Sequence, residues 1–215
     1  MTRRRGLFIT VEGSEGVGKS TCMEVISQEL VRAGVSIVGT REPGGTALGE
    51  AIREVLLDTH WTGMGRDTEL LLMFAARAEH IGKVIGPALS RGDFVVSDRF
   101  TDATYAYQGA GRGTPHSRIA ALEDWAQGDL RPDLTLLLDV DVETGLARAK
   151  ARGEADRFER EKLAFFMRVR ECYLARARAE PERFRVIDTA RNIDEVSTDI
   201  RNVIRSVVER HVAPA

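Results

Sequence analysis

A glycine-rich loop near the start of the chain restricts its fold more than any other segment. Residues 13–20 read Gly-Ser-Glu-Gly-Val-Gly-Lys-Ser, which satisfies the pattern Gly-x-x-x-x-Gly-Lys-Ser. An apolar run at residues 7–11 precedes the loop, and apolar residues at helical spacing follow it. Between a strand and a helix, the backbone N–H groups of such a loop turn inward around phosphate oxygens, and the positive end of the helix points at the same place. The loop therefore predicts a strand, a phosphate cradle and a helix.

The loop also assigns roles to individual side chains. Lys19 is expected to reach the β- and γ-phosphates of ATP, and the Ser20 hydroxyl is expected to bind Mg²⁺. The residues expected to contact ATP are Gly13, Ser14, Glu15, Gly16, Val17, Gly18, Lys19, Ser20 and Thr21. Such a loop is compatible with a kinase, a GTPase switch or an ATP-driven motor. Neither Asn192 nor Asn202, the only asparagines of the chain, precedes a lysine, which disfavours a guanine-specific switch, and a motor would normally need a longer chain.

Strand-like and helix-like segments alternate along the rest of the chain. Apolar, β-branched runs occur at 7–11, 35–38, 94–97, 134–138 and 184–187, and helical patterns fill the gaps, with one long helix at about 67–90. This alternation predicts an α/β fold in which a doubly wound five-stranded parallel sheet carries helices on both faces, as in P-loop NTPases. Ligands then belong at the carboxyl ends of the strands. The length of 215 residues favours a single domain spanning 1–215.

Charge, hydropathy and cysteine content limit the partners and the compartment. With a net charge of −2, the chain has no general tendency to bind nucleic acid or an anionic membrane. No apolar run approaches the roughly 20 residues of a membrane span, and 7–11 is too short for a signal peptide. Cys22 and Cys172 are far apart and have no histidine cluster beside them, so neither a disulfide framework nor a zinc site is expected. We therefore expect a cytoplasmic protein.

An acidic residue and an arginine follow the third predicted strand. Phosphoryl transfer between two phosphorylated substrates needs arginines that hold the phosphates and neutralise the charge that shifts in the transition state. At the end of 94–97, Asp98 could hold Mg²⁺ through water, and Arg99 could bind the acceptor phosphate with both arms of its guanidinium. Asp139, at the end of the fourth strand, is a second candidate for the metal but has no arginine beside it.

A second arginine cluster lies further along the chain. Arg148 and Arg152 are four residues apart and would share a helix face, and Gly153 and Arg157 follow. This spacing predicts a short mobile lid at about 148–159 that closes catalytic arginines over ATP. A closed lid would also exclude water, which would otherwise hydrolyse the nucleotide.

Five short motifs in order carry a resemblance to a known family. They are Glu12–Thr21, Thr40–Thr46, Asp98–Phe100, Tyr105–Gly109 and Arg131–Leu134. Together they closely resemble the bacterial thymidylate kinases, which are P-loop nucleoside monophosphate kinases, and the resemblance covers essentially the whole chain. It implies the reaction ATP + dTMP → ADP + dTDP in dTTP synthesis, with Mg²⁺, in a homodimer. The alternatives are a kinase for another nucleoside monophosphate and a nucleotide-binding regulatory protein without turnover.

The resemblance implies how the acceptor phosphate and sugar are bound. Arg53 and Arg99 match the arginines that bind the phosphate of dTMP. Glu15 matches the carboxylate that meets the sugar 3′-hydroxyl. Tyr107 matches the ring that crowds the sugar 2′ position and so favours a deoxyribose, because the ring fills the space of a ribose hydroxyl.

The resemblance also implies how the base is bound. Arg77 matches the arginine that donates to a thymine carbonyl, and Thr104 and Gln108 match positions at the pyrimidine edge. The family often has a phenylalanine four residues before this arginine, where the present chain has Met73 and places Phe74 one residue later. One helical residue is about 100° of rotation, so the two side chains cannot face the base equally. Phe74 is the expected stacking residue, and Met73 is the alternative.

Two subtypes of the family differ in the source of a catalytic arginine. One subtype carries it in the phosphate loop directly after the acidic residue, where the present chain has Gly16. The other supplies it from the lid. The present chain resembles the second subtype, which makes Arg148, Arg152 and Arg157 the candidates.

Overall fold

The computed structural model describes residues 4–151 and 156–212. In that part of the chain, five strands form one parallel sheet with the order β2-β3-β1-β4-β5. The strands are β1 (Phe8–Glu12), β2 (Ile37–Arg41), β3 (Phe94–Asp98), β4 (Leu134–Asp139) and β5 (Phe184–Asp188). The predicted α/β fold and its five strands are confirmed, with boundaries that agree to within three residues.

Helices connect the strands. They are α1 (Lys19–Arg32), α2 (Ala47–Leu57), α3 (Arg66–His80), α4 (Gly86–Arg91), α5 (Thr101–Thr104), α6 (His116–Gln127), α7 (Val142–Lys150), α8 (Leu163–Ala179) and α9 (Ile193–Val212). A short 3₁₀ turn occupies Thr59–Trp61, and π-helical segments extend α3 at Ile81–Ile85 and α5 at Tyr105–Gly111. None of the helices within 4–151 and 156–212 combines the length and the hydropathy that crossing a membrane requires.

Alternate residues of the strands face two apolar cores. In β4, Leu136 and Leu138 pack in one core with α1 and α9, whereas Leu137 packs in the other with α8. Phe8 and Val95 face a smaller third cluster that contains α4. The sheet is therefore buried on both sides, as a parallel sheet requires.

The predicted long helix at about 67–90 is interrupted. The N–H of Gly86 bonds to the carbonyl of Ile81, five residues back, which is a π-helical bond. Pro87 follows and has no N–H to donate, so the regular α-helical ladder cannot run through this turn. The helical direction is kept, but α3 ends at His80 and α4 starts at Gly86.

The parallel pairing brings the functional ends of the strands to one edge. Val11 of β1 and Arg41 of β2 both pair with Asp98, the last residue of β3. The phosphate loop leaves β1 at this edge, and the segment from Arg99 leaves β3 beside it.

Candidate active site

A cavity of about 350 Å³ opens at the carboxyl edge of the sheet. Its wall combines the phosphate loop, the segments after β2 and β3, α3 and the residues Asp156, Phe158 and Glu159. The predicted residues that line it are Glu15, Gly16, Val17, Gly18, Lys19, Ser20, Arg53, Arg77, Asp98, Arg99, Thr104, Tyr107 and Gln108. The structure therefore brings most of the residues predicted for ATP, together with residues predicted for the acceptor phosphate and for the base, into one cavity.

The phosphate loop has the backbone that its glycines permit. Gly13, Gly16 and Gly18 have φ angles of 139°, 72° and 92°, in a region that favours glycine. Lys19 begins α1, and its Nζ donates to the carbonyls of Gly13 (3.3 Å) and Ser14 (3.0 Å), which folds the side chain back over the loop. Burial, together with the nearby Arg99 guanidinium, lowers the pKa of the Lys19 amine. A phosphate bound on this loop would favour the charged form of the Lys19 amine and so oppose this lowering of the pKa.

Gly16 has no room for a side chain. A Cβ built at this position would lie 1.8 Å from the carbonyl oxygen of Gly145 in α7, and the φ of 72° is itself unfavourable for other residues. The absence of a loop arginine here thus has a steric reason: the loop is packed directly against the backbone of α7.

Asp98 and Arg99 occupy the end of β3. Oδ1 of Asp98 is buried and has no hydrogen-bond partner among the described residues. Arg99 has a φ of 71°, the only positive value at a non-glycine position in the described chain. Its guanidinium donates to the carbonyl of Gly13 (3.0 Å) and to Oε1 of Glu15 (2.6 Å), and it lies over the Tyr107 ring.

The backbone around Arg99 is fixed by a buried carboxyl group. Glu12, at the end of β1, accepts from the N–H of Phe100 (2.7 Å) and from the hydroxyl of Tyr173 (2.8 Å). The N–H of Arg99 donates to the carbonyl of Val11 (2.9 Å). These bonds hold Arg99 in its unusual conformation and offset its cost of about 1–3 kcal/mol. Burial raises the pKa of Glu12 to about 8.

Glu15 connects the phosphate loop to the π-helical segment. Besides the Arg99 guanidinium, Oε1 of Glu15 accepts from the hydroxyl of Tyr107 at 2.9 Å. Burial raises the pKa of Tyr107 well above its usual range, so the phenol remains a donor. The carboxylate and the ring predicted to meet the sugar are therefore adjacent.

Arg53 reaches the cavity from α2. Its Nη1 donates to the carbonyl of Pro43 at 3.0 Å. Burial and the neighbouring Arg41 guanidinium lower the pKa of Arg53. Arg41, Arg53 and Arg99 line the same cavity, so this end of it carries positive charge that suits a phosphate.

Arg77 is held from one side and leaves one donor unused. Its Nε donates to Glu42 (2.7 Å) and its Nη2 to the hydroxyl of Thr104 (3.0 Å). Nη1 is buried and has no partner within 4–151 and 156–212. His80 extends this hydrogen-bond network, because its Nδ1 lies 3.0 Å from Glu42 and its Nε2 lies 2.7 Å from the hydroxyl of Thr40.

Phe74 does not line the cavity wall to which Met73 contributes. The Phe74 ring lies in the apolar core with Tyr105 and Ala106, and the Arg77 guanidinium lies over it at 4.8 Å. Met73 lines the cavity. The expected stacking of Phe74 on the base is therefore not supported. The reason is the helical rotation between adjacent positions, which turns Phe74 into the core.

The three arginines predicted for the lid differ in what the structure shows of them. Arg148 donates to the carbonyl of Thr189 (3.0 Å) and lines a second cavity. Arg157 is buried, donates to Leu56 O and to Glu69 (2.7 Å each), and does not line the cavity that contains the phosphate loop. Arg152 lies outside the described residues.

A second cavity of about 270 Å³ adjoins the other side of the phosphate loop. Val17, Gly18 and Thr21 line it from the loop and α1, and Arg148 and Thr189 line it from the opposite side. Thr21, predicted to contact ATP, therefore faces this cavity and not the first one.

Asp139, the second candidate for the metal, is already paired. Its two carboxylate oxygens accept from Nε and Nη2 of Arg170 at 2.7 and 2.8 Å. No group of three or more acidic, histidine or cysteine side chains suited to a metal ion occurs in the described part of the chain. A divalent cation at this site would need ligands from the nucleotide and from water.

Sequence reasoning missed the buried groups that hold the predicted residues in place. Glu12, Glu42 and Glu69 each accept from a donor on a neighbouring element, and His80 bonds to Glu42. Glu12 and Glu42 stand inside recognised motifs, but their side-chain directions cannot be read from spacing. No sequence pattern singles out His80, and its side chain is completely buried.

Comparison with known proteins identifies the family of the chain. The family model of thymidylate kinases matches residues 11–200. Thymidylate kinases of Pseudomonas syringae pv. tomato and Pseudomonas fluorescens are both 57% identical to the chain, over 204 and 205 residues, covering 95% of it and 97% and 98% of their own lengths. The crystal structure of a thymidylate kinase from Ehrlichia chaffeensis superposes with a TM-score of 0.77 at 35% identity, covering 94% of this chain and 99% of that one. The chain belongs to the thymidylate kinase family.

Proposed function

We propose that the protein transfers the γ-phosphoryl group of ATP to dTMP, giving ADP and dTDP. The observation that carries the proposal is the composition of the larger cavity. Lys19 on the phosphate loop, Arg53 and Arg99, and the base-facing Arg77 all line the same space. A protein that only bound ATP would not need a second set of arginines and a polar base site beside the loop.

The donor nucleotide is assigned to the phosphate loop. Backbone N–H groups of the loop and Lys19 would hold its phosphates, and the smaller cavity beside Gly18 and Thr21 would accept its base. Arg148, at the rim of that cavity, would lie near the base or ribose of ATP. The transferred group would then sit between the loop and Arg99.

Mg²⁺ is assigned to Ser20 and, through water, to Asp98. The buried Oδ1 of Asp98 without a partner among the described residues fits this role, and so does the Ser20 hydroxyl at the start of α1. When bound, the ion would neutralise charge on the β- and γ-phosphates. The chain itself supplies Lys19 as the fixed cation on the same oxygens.

Arg53 and Arg99 are assigned to the phosphate of dTMP. Arg99 contacts Gly13 O and Glu15, and Arg53 contacts Pro43 O. These groups hold both guanidiniums at the cavity wall before an acceptor phosphate arrives. This preorganisation lowers the cost of positioning the attacking phosphate oxygen.

Glu15 and Tyr107 are assigned to the deoxyribose, and Arg77, Thr104, Gln108 and Met73 to thymine. Glu15 would accept from the 3′-hydroxyl, and Tyr107, held by Glu15, would fill the space of a 2′-hydroxyl. Nη1 of Arg77 would donate to the base carbonyl. The thioether of Met73 would cover the ring face in place of a stacked phenylalanine.

We further propose one P-loop kinase domain over 1–215 with a lid at about 148–159, acting as a cytoplasmic homodimer. The family resemblance implies the dimer, and the exposed apolar side chain of Leu71 on α3 supports it. Sedimentation equilibrium of the purified protein tests it.

The test of the function is a coupled assay of ADP release. ATP is supplied with dTMP, dUMP, UMP, CMP or AMP in turn. We expect the highest kcat/KM with dTMP and the largest losses with the two ribonucleotides that lack a matching base, CMP and AMP. Faster turnover of any other acceptor would overturn the assignment, and the absence of turnover with all five would favour a binding protein.

The Arg99→Ala variant tests the acceptor side. Because Arg99 would bind the acceptor phosphate at the wall of the cavity, its loss should raise KM for dTMP about tenfold or more and lower kcat. KM for ATP should change much less. Arg91, exposed at the end of α4, provides the control variant Arg91→Ala. A change confined to the ATP parameter would place Arg99 on the donor side.

A further inference from the structure

Glu69 lies behind the base-facing wall of the cavity and contacts three donors. It belongs to α3 and is only 1% exposed. Its Oε1 accepts from Nε2 of Gln108 (2.8 Å) and from Nε of Arg112 (3.4 Å), and its Oε2 accepts from Nη1 of Arg157 (2.7 Å). Two guanidiniums thus compensate the charge of a buried carboxylate whose remaining contact is a neutral amide.

The contact with Glu69 determines which end of the Gln108 amide faces the cavity. A carboxylate can only accept hydrogen bonds, whereas an amide has a donor end and an acceptor end. Gln108 must therefore turn its NH₂ group to Glu69 and its carbonyl oxygen away from it. Gln108 lines the cavity, so an acceptor is presented there.

A donor lies beside this acceptor. Thr104 and Gln108 are four residues apart on one helical segment and share a face. Arg77 lines the cavity and contacts Thr104 at 3.0 Å, Glu42 holds its Nε, and its buried Nη1 is a donor without a partner among the described residues. The wall therefore offers a donor next to an acceptor.

This order of groups matches one class of pyrimidine. Thymine and uracil present a carbonyl oxygen at position 4, which accepts, next to an N3–H, which donates. Cytosine presents an amino group, which donates, next to an unprotonated N3, which accepts. A wall that places a donor next to an acceptor fits thymine and uracil and disfavours cytosine.

We propose that Glu69 is a positioning residue that fixes the polarity of the Gln108 amide and thereby selects thymine and uracil over cytosine. The proposal rests on the proposed function, because it assumes a pyrimidine monophosphate in this cavity. Arg157 and Arg112 contribute to this selection, because they hold the Glu69 carboxylate, which orients the Gln108 amide. The role of Arg157 is then structural at Glu69 and does not require contact with ATP.

The variant Glu69→Gln tests the proposal. It keeps the shape of the side chain but replaces an obligate acceptor with an amide that can pair with Gln108 in either orientation. We expect the ratio of kcat/KM for dTMP to kcat/KM for dCMP to fall about tenfold, because Gln108 can then present its NH₂ group to the base. General damage to the fold would lower both values in parallel and leave the ratio unchanged.

Two further variants complete the experiment. Gln108→Met removes the amide, so adding Glu69→Gln in that background should leave the ratio where Gln108→Met alone puts it. Asp67→Asn is the matched control, because Asp67 lies on the same helix but is exposed and pairs with Arg118 at 2.9 Å. It should keep the parent ratio.

The outcomes distinguish the role of Glu69 from the proposed function of the protein. A folded Glu69→Gln protein with the parent ratio would overturn the role of Glu69. If Glu69→Gln does not fold, an unchanged ratio in Gln108→Met would overturn it instead, since the amide would then not read the base. A parent protein inactive on dTMP would overturn the proposed function itself.

Discussion

Replacing Lys19 with alanine is expected to lower kcat by at least about 100-fold while the protein stays folded. The Lys19 amine is held over the phosphate loop by the carbonyls of Gly13 and Ser14, at a place where two phosphates would bring several negative oxygens together. No bond of Lys19 within the described chain ties separate elements of the fold together, so stability should change little.

Steady-state kinetics and thermal unfolding check this expectation together. Lys83→Ala is the control, because Lys83 is exposed on the segment after α3. Near-normal turnover by a folded Lys19→Ala protein would contradict the assignment of the loop to ATP phosphates.

Loss of the lid arginine should have a still larger effect, about 10³-fold in kcat, as for arginines delivered to transferring phosphoryl groups in related reactions. We expect this loss for Arg152→Ala. Arg157 is bound to Glu69 and Leu56 O, and Arg148 lies at the second cavity with Thr189 O, so each already has a different partner. Arg152 is the remaining one of the three candidate arginines.

Calorimetric binding of dTMP separates this role from acceptor binding. An arginine that acts on the transferring group should leave the Kd for dTMP nearly unchanged while kcat falls. Arg157→Ala should instead weaken dTMP binding, because it removes a partner of Glu69. If Arg148→Ala, Arg152→Ala and Arg157→Ala all turn over like the parent, the positive charge must come from elsewhere.

The sequence predicted the fold well because the relevant signals are local. The run at 134–138 is apolar at every position except Thr135, as expected for a strand that is buried on both faces, and it forms β4. The loop at 13–20 combines glycines, Lys19 and Ser20 in a fixed order, and its backbone follows from those residues. Parallel pairing then places Asp98 and Arg99 beside the loop.

The supporting residues of the site could not be predicted in the same way. Glu42, Glu69 and His80 contact partners 35 to 39 residues away in the sequence, and no spacing rule relates such pairs. The predicted stacking of Phe74 on the base is not supported for a different reason. Helix phase at the exact residue decides whether a side chain faces the cavity or the core, and the substitution of Met73 for the usual phenylalanine left the phase open.

The contact between Gly16 and Gly145 limits how this enzyme can evolve. A Cβ at Gly16 would meet Gly145 O at 1.8 Å, and a Cβ at Gly145 would meet Glu15 O at 2.6 Å, so neither position accepts a side chain while the other backbone stays in place. An arginine at position 16 therefore cannot arise in this chain through a single substitution while the backbone of α7 keeps its position. A side chain at position 16 of this chain would require a displaced α7.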